Sequence, residues 1–238
     1  MASKESDSRV AVITGASEGL GHALAGELDR RGWTLVLDAR HAGRLQESAR
    51  ELTGAHLIAG DVTDPAHRSA LAERAAELGG ASLLVNNAST LGASPQPTVA
   101  ELSPEVLERV LLTNLQAPVE LMRSLLPQLR ATGGTVLNIT SDASVEAYPG
   151  WGAYGASKAA LDHVSRVLAA EDPALRVYAV DPGDMRTRMH QEAFPGEDIS
   201  DRPPPEDVVP HLLALLDSGL PSGRHRAADI PVPAGVVR

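Results

Sequence analysis

The run Tyr154-Gly155-Ala156-Ser157-Lys158 carries a phenol and an ammonium four residues apart. On a helix that separation puts both on one face, within reach of each other. The pair has a chemical use. Adding a hydride to a carbonyl requires a proton donor at the oxygen, and a phenol with an ordinary pKa of about 10 becomes more acidic beside a fixed positive charge. Lysine would thus tune Tyr154 for acid/base work near neutral pH. Spacing alone is weak support, because a tyrosine and a lysine often share a helix face for no chemical reason. The lysine inventory adds weight: Lys4 and Lys158 are the only lysines, and all the other strongly basic side chains are arginines. A compact ammonium can bond a ribose hydroxyl in a way that arginine's planar fork does not easily copy.

A second chemistry-bearing segment lies near the N-terminus. Thr14-Gly15-Ala16-Ser17-Glu18-Gly19-Leu20-Gly21 follows an apolar run at Arg9–Thr14 and leads at once into a helical stretch at His22–Arg30. Glycines permit a tight turn and let backbone approach a pyrophosphate, for which a helix start supplies free N–H groups and a positive dipole end. Gly15, Ser17, Glu18, Gly19, Leu20 and Gly21 are therefore candidate cofactor contacts. An ordinary glycine-rich loop between strand and helix is the plain alternative.

The glycine spacing is Gly-x₃-Gly-x-Gly, and with Thr14 ahead of it this turn resembles that of the short-chain dehydrogenase/reductase family. Further segments match the family in order from about Val10 to Thr187. The resemblance implies that Asp61-Val62 lies beside an adenine ring, that Asn87 and Ala88 belong to the family's Asn-Asn-Ala-Gly segment (with Ser89 in place of the glycine), and that Asn114 is the active-site asparagine, holding a water in a proton relay through Lys158. It implies that Ser141, 13 residues before Tyr154, steadies the substrate oxygen, completing a catalytic set of Asn114, Ser141, Tyr154 and Lys158. Tyr154 and Lys158 would also touch the cofactor, while Pro182, Gly183 and Thr187 would hold a nicotinamide carboxamide.

Between NADP and NAD the sequence is divided. Asp38 could accept hydrogen bonds from the ribose of NAD, whereas Arg40 could pair with the extra phosphate of NADP. By strand register Ala39 takes the family's usual acidic position and Arg40 the basic one after it, which favours NADP. Glu18 argues the other way, since many NADP-using members carry a basic residue in that turn.

The elements that must position these residues follow from periodicity. Strand-length apolar runs alternate with helical stretches, the pattern of repeated βα units. Seven strands are expected, near Arg9–Thr14, Thr34–Leu37, His56–Gly60, Leu83–Asn86, Thr135–Thr140, Arg176–Val180 and His225–Ile230. Long helical stretches are expected around Pro104–Arg130 and Ala153–Glu171, with another near Glu206–Ser218. The fold class is α/β, a doubly wound, seven-stranded parallel sheet of Rossmann type with helices on both faces. A single catalytic domain over residues 9–238 follows a disordered tail at residues 1–8. The long connection at residues 184–205 reads as a substrate lid. Tyr148, Trp151, Met185, Met189, His190 and Phe194 would wall an apolar, ring-accepting pocket, or else simply pack the lid onto the body.

Composition bounds the rest. A chain of 238 residues can bury a full core unaided. A net charge of −10 repels phosphate backbones, so nucleic acid is not an expected partner. No stretch is long and apolar enough for a membrane span and Met1–Ser8 does not read as a signal peptide, so the expected location is the cytoplasm. There is no cysteine, and no histidine sits at metal-site spacing. The expected partner is a small ketone or alcohol. The family resemblance implies a homo-oligomer, dimer or tetramer, built through the two long helical stretches. A catalytically idle NADP(H)-binding regulator of the same fold is the alternative function.

Overall fold

The computed structural model describes residues 9–233. The expectation of a disordered tail at residues 1–8 lies outside the described residues, as do residues 234–238.

Seven parallel strands, β1 (Val10–Ile13), β2 (Thr34–Ala39), β3 (Ala55–Ala59), β4 (Ala81–Asn86), β5 (Thr135–Ile139), β6 (Arg176–Asp181) and β7 (Gly223–Arg226), form one sheet in the order β3-β2-β1-β4-β5-β6-β7. The interior strands are near-continuous apolar runs because helices cover both faces of a parallel sheet. One face packs Ile13, Leu24, Leu28, Leu37, Tyr178 and Leu212; the other packs Val12, Val36, Leu71, Leu84, Leu125 and Val177. The chain reverses direction across the sheet between β1 and β4, leaving a crevice at their carboxyl ends where ligands of doubly wound sheets bind.

The helices are α1 (Gly19–Arg30), α2 (Ala42–Ser48), α3 (Pro65–Glu77), α4 (Pro104–Leu111), α5 (Ala117–Thr132), α6 (Gly152–Glu171), α7 (Arg188–Ala193) and α8 (Val209–Asp217). Two expectations need correction. The long helical stretch beginning at Pro104 is not one regular helix: α4 and α5 are joined by a π turn over Leu112–Gln116. Pro118 has no N–H to close the bond back to the Asn114 carbonyl four residues earlier, so the regular ladder is interrupted there. The last strand runs Gly223–Arg226, not His225–Ile230, and Ala227–Asp229 forms a 3₁₀ turn instead. As an edge strand paired only with β6 it tolerates the polar run Gly-Arg-His-Arg, which has no apolar signature to read.

Candidate active site

The glycine turn is shaped from below. Gly15 and Gly19 have φ of 67° and 58°, the left-handed region where a side chain would be strained. A Cβ on Gly21 would stand 2.5 Å from Asn87 Nδ2 and 2.6 Å from the Gly15 carbonyl, so α1 can approach the turn this closely only with glycine there. Glu18, the N-cap of α1, gives no side-chain hydrogen bond to the helix start, and the first turn carries no acid. The cradle fits an anionic pyrophosphate: its close backbone approach and its uncapped helix start are what such a group requires.

Asp38 holds this turn in place. Its Oδ1 accepts from Gly15 N at 2.8 Å, its carbonyl accepts from Ala16 N at 2.8 Å, and its Oδ2 meets His67 Nε2 at 3.0 Å. Burial raises the Asp38 pKa, opposed by the bonds from His67 and Gly15. Both carboxylate oxygens are thus engaged within the protein, while Asp38 also lines the cleft. Thr14 stitches β1 to β4: its Oγ1 accepts from Asn87 N and Ala88 N, each at 3.0 Å, while Asn87 Nδ2 donates to the Thr14 and Gly15 carbonyls.

Farther along the cleft, Asp61 accepts from the Thr63 N–H and hydroxyl at 2.8 Å, and Val62 is pinned through its carbonyl by Arg68 at 2.6 Å. Although burial pushes the Asp61 carboxyl up, the Thr63 bonds and the nearby Arg40 charge hold it below the usual range. Arg40, His41 and Arg44 line this end together. Arg44 has no sequence signature; only the placement of α2 brings it to the cleft that Arg40 also lines.

Tyr154, Lys158 and Ser141 line the other end of the same cleft, whose volume is about 300 Å³. Lys158 is 2% exposed, and its Nζ donates to the Ile139 carbonyl at the end of β5 at 2.8 Å. It lies 5.5 Å from the Tyr154 ring centroid. Burial lowers the Lys158 pKa to about 8, partly offset by the charge of Asp162. Burial pushes the Tyr154 phenol well above its ordinary value, against the acidifying effect expected of Lys158; the Ser89 and Ser141 hydroxyls oppose that rise, and Asp142 and Asp181 reinforce it. Ser89, noted in the sequence only as a replaced glycine, is therefore a neighbour of the phenol.

Ser141 Oγ accepts from Ala143 N at 3.2 Å and donates to Asp142 Oδ1 at 2.9 Å. Asp142 also accepts from Tyr148 at 2.9 Å. Asn114, fully buried in the π turn, accepts from Thr90 N at 2.8 Å and donates to the Thr90 carbonyl and to Ser157 Oγ. Its side chain is bound to these groups, not to Lys158, and its main-chain carbonyl is the one that Pro118 cannot bond.

The segment after β6 closes the far wall. Gly183 turns at φ 76°, and its N–H bonds Asp181 Oδ1 at 3.0 Å. Thr187 Oγ1 caps α7 by accepting from His190 N at 3.1 Å, a role that leaves its proton to donate. Met185, Met189 and His190 line the cleft. Trp151 packs edge-on against Tyr154 at 5.4 Å and tilted against Phe194 at 6.0 Å, and Phe194 in turn lies 4.9 Å from His190. No helix among the described residues is long and apolar enough to cross a membrane.

Residues 9–198 match the family model described as short chain dehydrogenase. An uncharacterised oxidoreductase, YciK of Escherichia coli, is 33% identical over 219 residues, covering 87% of this chain and 86% of its own. A short-chain dehydrogenase structure from Shigella flexneri, complexed with NADP, is 30% identical, with a TM-score of 0.86 over 92% of this chain and 97% of that one. An Escherichia coli short-chain dehydrogenase complexed with NADPH is also 30% identical, with a TM-score of 0.85 over 92% and 96%.

Proposed function

The chain belongs to the short-chain dehydrogenase/reductase family of oxidoreductases, and from that premise we propose that it transfers a hydride between NADP(H) and a ketone or alcohol. The observation that carries this reading is one continuous cleft, with the glycine turn and Arg40 toward one end and Ser141, Tyr154 and Lys158 toward the other.

The nicotinamide, when bound, supplies or receives the hydride. The rest falls to the chain's own residues. Gly15, Ser17, Gly19, Leu20 and Gly21 would cradle the pyrophosphate; Asp61, Val62, Asn87 and Ala88 would border the adenosine; Pro182, Gly183 and Thr187 would hold the carboxamide. Burial keeps Tyr154 protonated, the state in which it gives its proton to a carbonyl oxygen. Ser141 holds that oxygen once its hydroxyl turns from Asp142. Lys158, tied to the Ile139 carbonyl, presents its remaining N–H groups to a ribose hydroxyl and to the Tyr154 side of the site. Asn114 anchors the floor through Thr90 and Ser157 and offers its carbonyl to a water for proton relay.

Two features support NADP over NAD. Arg40 and Arg44 both line the cleft, where either could meet the extra phosphate, and Glu18 is paired with Arg188. Solved relatives bound to NADP and NADPH point the same way. Trp151, Met185 and Met189, which line the cleft, support an apolar, ring-bearing substrate beneath a lid at residues 184–205. Action in the cytoplasm as a homo-oligomer, through α4–α5 and α6, completes the proposal. No observation favours the idle-regulator alternative.

The test is titration of the purified protein with NADPH and NADH by nicotinamide fluorescence, followed by aromatic and aliphatic ketones added to the tighter complex. Tighter NADPH binding with ketone-dependent oxidation is expected. Binding of neither cofactor would overturn the reading.

A further inference from the structure

Three chain segments must be held in register for the proposed chemistry: the end of β5 with Ser141, the end of β6 with the Asp181-Pro182-Gly183 turn, and the face of α6 bearing Tyr154 and Lys158. One side chain touches all three. Arg224, on the edge strand β7, donates from Nη2 to the Ser141 carbonyl at 3.0 Å and to Asp181 Oδ2 at 3.3 Å, and from Nε to Asp162 Oδ2 at 3.1 Å. The residue in register with it on β6 is Ala179, small enough for the guanidinium to pass over the sheet edge toward the site.

We propose that Arg224 is a positioning residue of the active site, fixing these three segments to one another and balancing the buried carboxylates whose charge reaches Tyr154 and Lys158. The proposal rests on the reading of Ser141, Tyr154 and Lys158 as the reacting groups.

A rigid fork of N–H donors suits the task, because it can serve several oxygens from different directions at once. Asp162 and Asp181 are only 5% and 4% exposed, so neither is balanced by water. Ser144 also donates to Asp162, at 2.6 Å, and Gly183 N–H to Asp181, but these bonds are neutral. Arg224 is the cation that ion-pairs with both carboxylates. Asp181 raises the Tyr154 pKa and Asp162 raises that of Lys158. The charges acting on the Tyr154–Lys158 pair are thus Asp162 from α6 itself, Asp142 from the turn after β5 and Asp181 from β6, and Arg224 from β7 is paired with two of them. His190 lines the cleft from α7, the π turn contributes neutral Asn114, and the α4 charges Glu105, Glu108 and Arg109 are exposed. Removing Arg224 leaves two buried carboxylates uncompensated, and both then act to keep the reacting pair protonated.

The scarcity of lysine makes the test direct. With only Lys4 and Lys158 in the chain, lysine labelled with ¹³C at Cε yields two resonances, and Lys158 can be titrated by NMR without cofactor or substrate. In Arg224→Gln the Lys158 midpoint is expected to rise by about one unit or more. The kcat is expected to fall about 10- to 100-fold with the KM for cofactor little changed. Arg224→Lys, which restores the charge without the fork and adds one lysine resonance absent from the native spectrum, should return the Lys158 midpoint and leave kcat low. An unmoved midpoint or full kcat in folded Arg224→Gln overturns the proposal. Should that variant not fold, Asp162→Asn reads the same field with the opposite sign: the Lys158 midpoint falls, and constancy overturns the proposal. Retained turnover in Tyr154→Phe would instead defeat the underlying reading of the reacting groups, while leaving the Lys158 titration interpretable.

Discussion

The carboxylate of Glu18, just ahead of α1, meets the guanidinium of Arg188, at the start of α7, at 2.5 Å. The glycine turn and the segment after β6, 170 residues apart, are thereby joined across the mouth of the cleft. A residue that counted against NADP in the sequence is thus neutralised by the opposite wall, and the pair forms a latch over the site.

Both partners of the latch are about half exposed, so the pair contributes no more than about 1 kcal/mol. Arg188→Ala should leave the urea midpoint nearly unchanged while speeding cofactor dissociation by up to about fivefold. Stopped-flow nicotinamide fluorescence measures the latter; an unchanged release rate would deny the pair any part in retention.

Tyr154→Phe removes the proton and keeps the ring that packs against Trp151. Turnover should drop by about 10²- to 10⁴-fold, with NADPH affinity close to intact. Activity near the native level would assign the acid elsewhere.

Arg40→Ala and Arg44→Ala each delete a charge at the adenosine end. If each guanidinium bonds the extra phosphate, losing either should weaken NADPH about 10- to 100-fold, as for a charge-assisted bond of about 1.5–3 kcal/mol. NADH should bind almost as before. An equal loss for both cofactors, measured by fluorescence titration, would reject the specificity assignment.

Lys158 links stability to pH. Its ordinary pKa of 10.5 falls to about 8 in the folded protein, so between those values the unfolded chain binds the extra proton. Native stability should therefore gain a contribution from Lys158 as pH rises from about 8, the opposite of a lysine held by a salt bridge. Tyr154, raised above 10 by burial, takes stability away beyond pH 10, because only the unfolded phenol then ionises. Urea unfolding of the native protein and Lys158→Met at intervals from pH 7 to about 10 isolates the first effect. The same slope in both proteins would exclude Lys158 as its source.

Much of the fold was legible in local pattern. Continuous apolar strands flanked by helical runs specify buried parallel strands, and the coincidence of strand, glycine turn and helix start locates the crevice before any contact is known. Tyr154 and Lys158 were legible as a candidate pair because a helix alone brings them together, whereas Asn114 and Ser141 entered only through the family resemblance. The last strand was not, because an edge strand with one neighbour needs no apolar alternation.

What the sequence by itself determined is the α/β class, the glycine turn and the identity of the Tyr154–Lys158 pair, all properties of residues close along the chain. Only the tertiary structure decided what surrounds them. Asp38 became the anchor of the glycine turn because α3 sets His67 against it. Glu18 found Arg188, and Arg224 reached Ser141, Asp162 and Asp181, through separations no local pattern records. The protonation of Tyr154 and Lys158 was decided there too, since the cost of charge depends on burial and on neighbours assembled from distant strands, and neither exists until the sheet has closed its order.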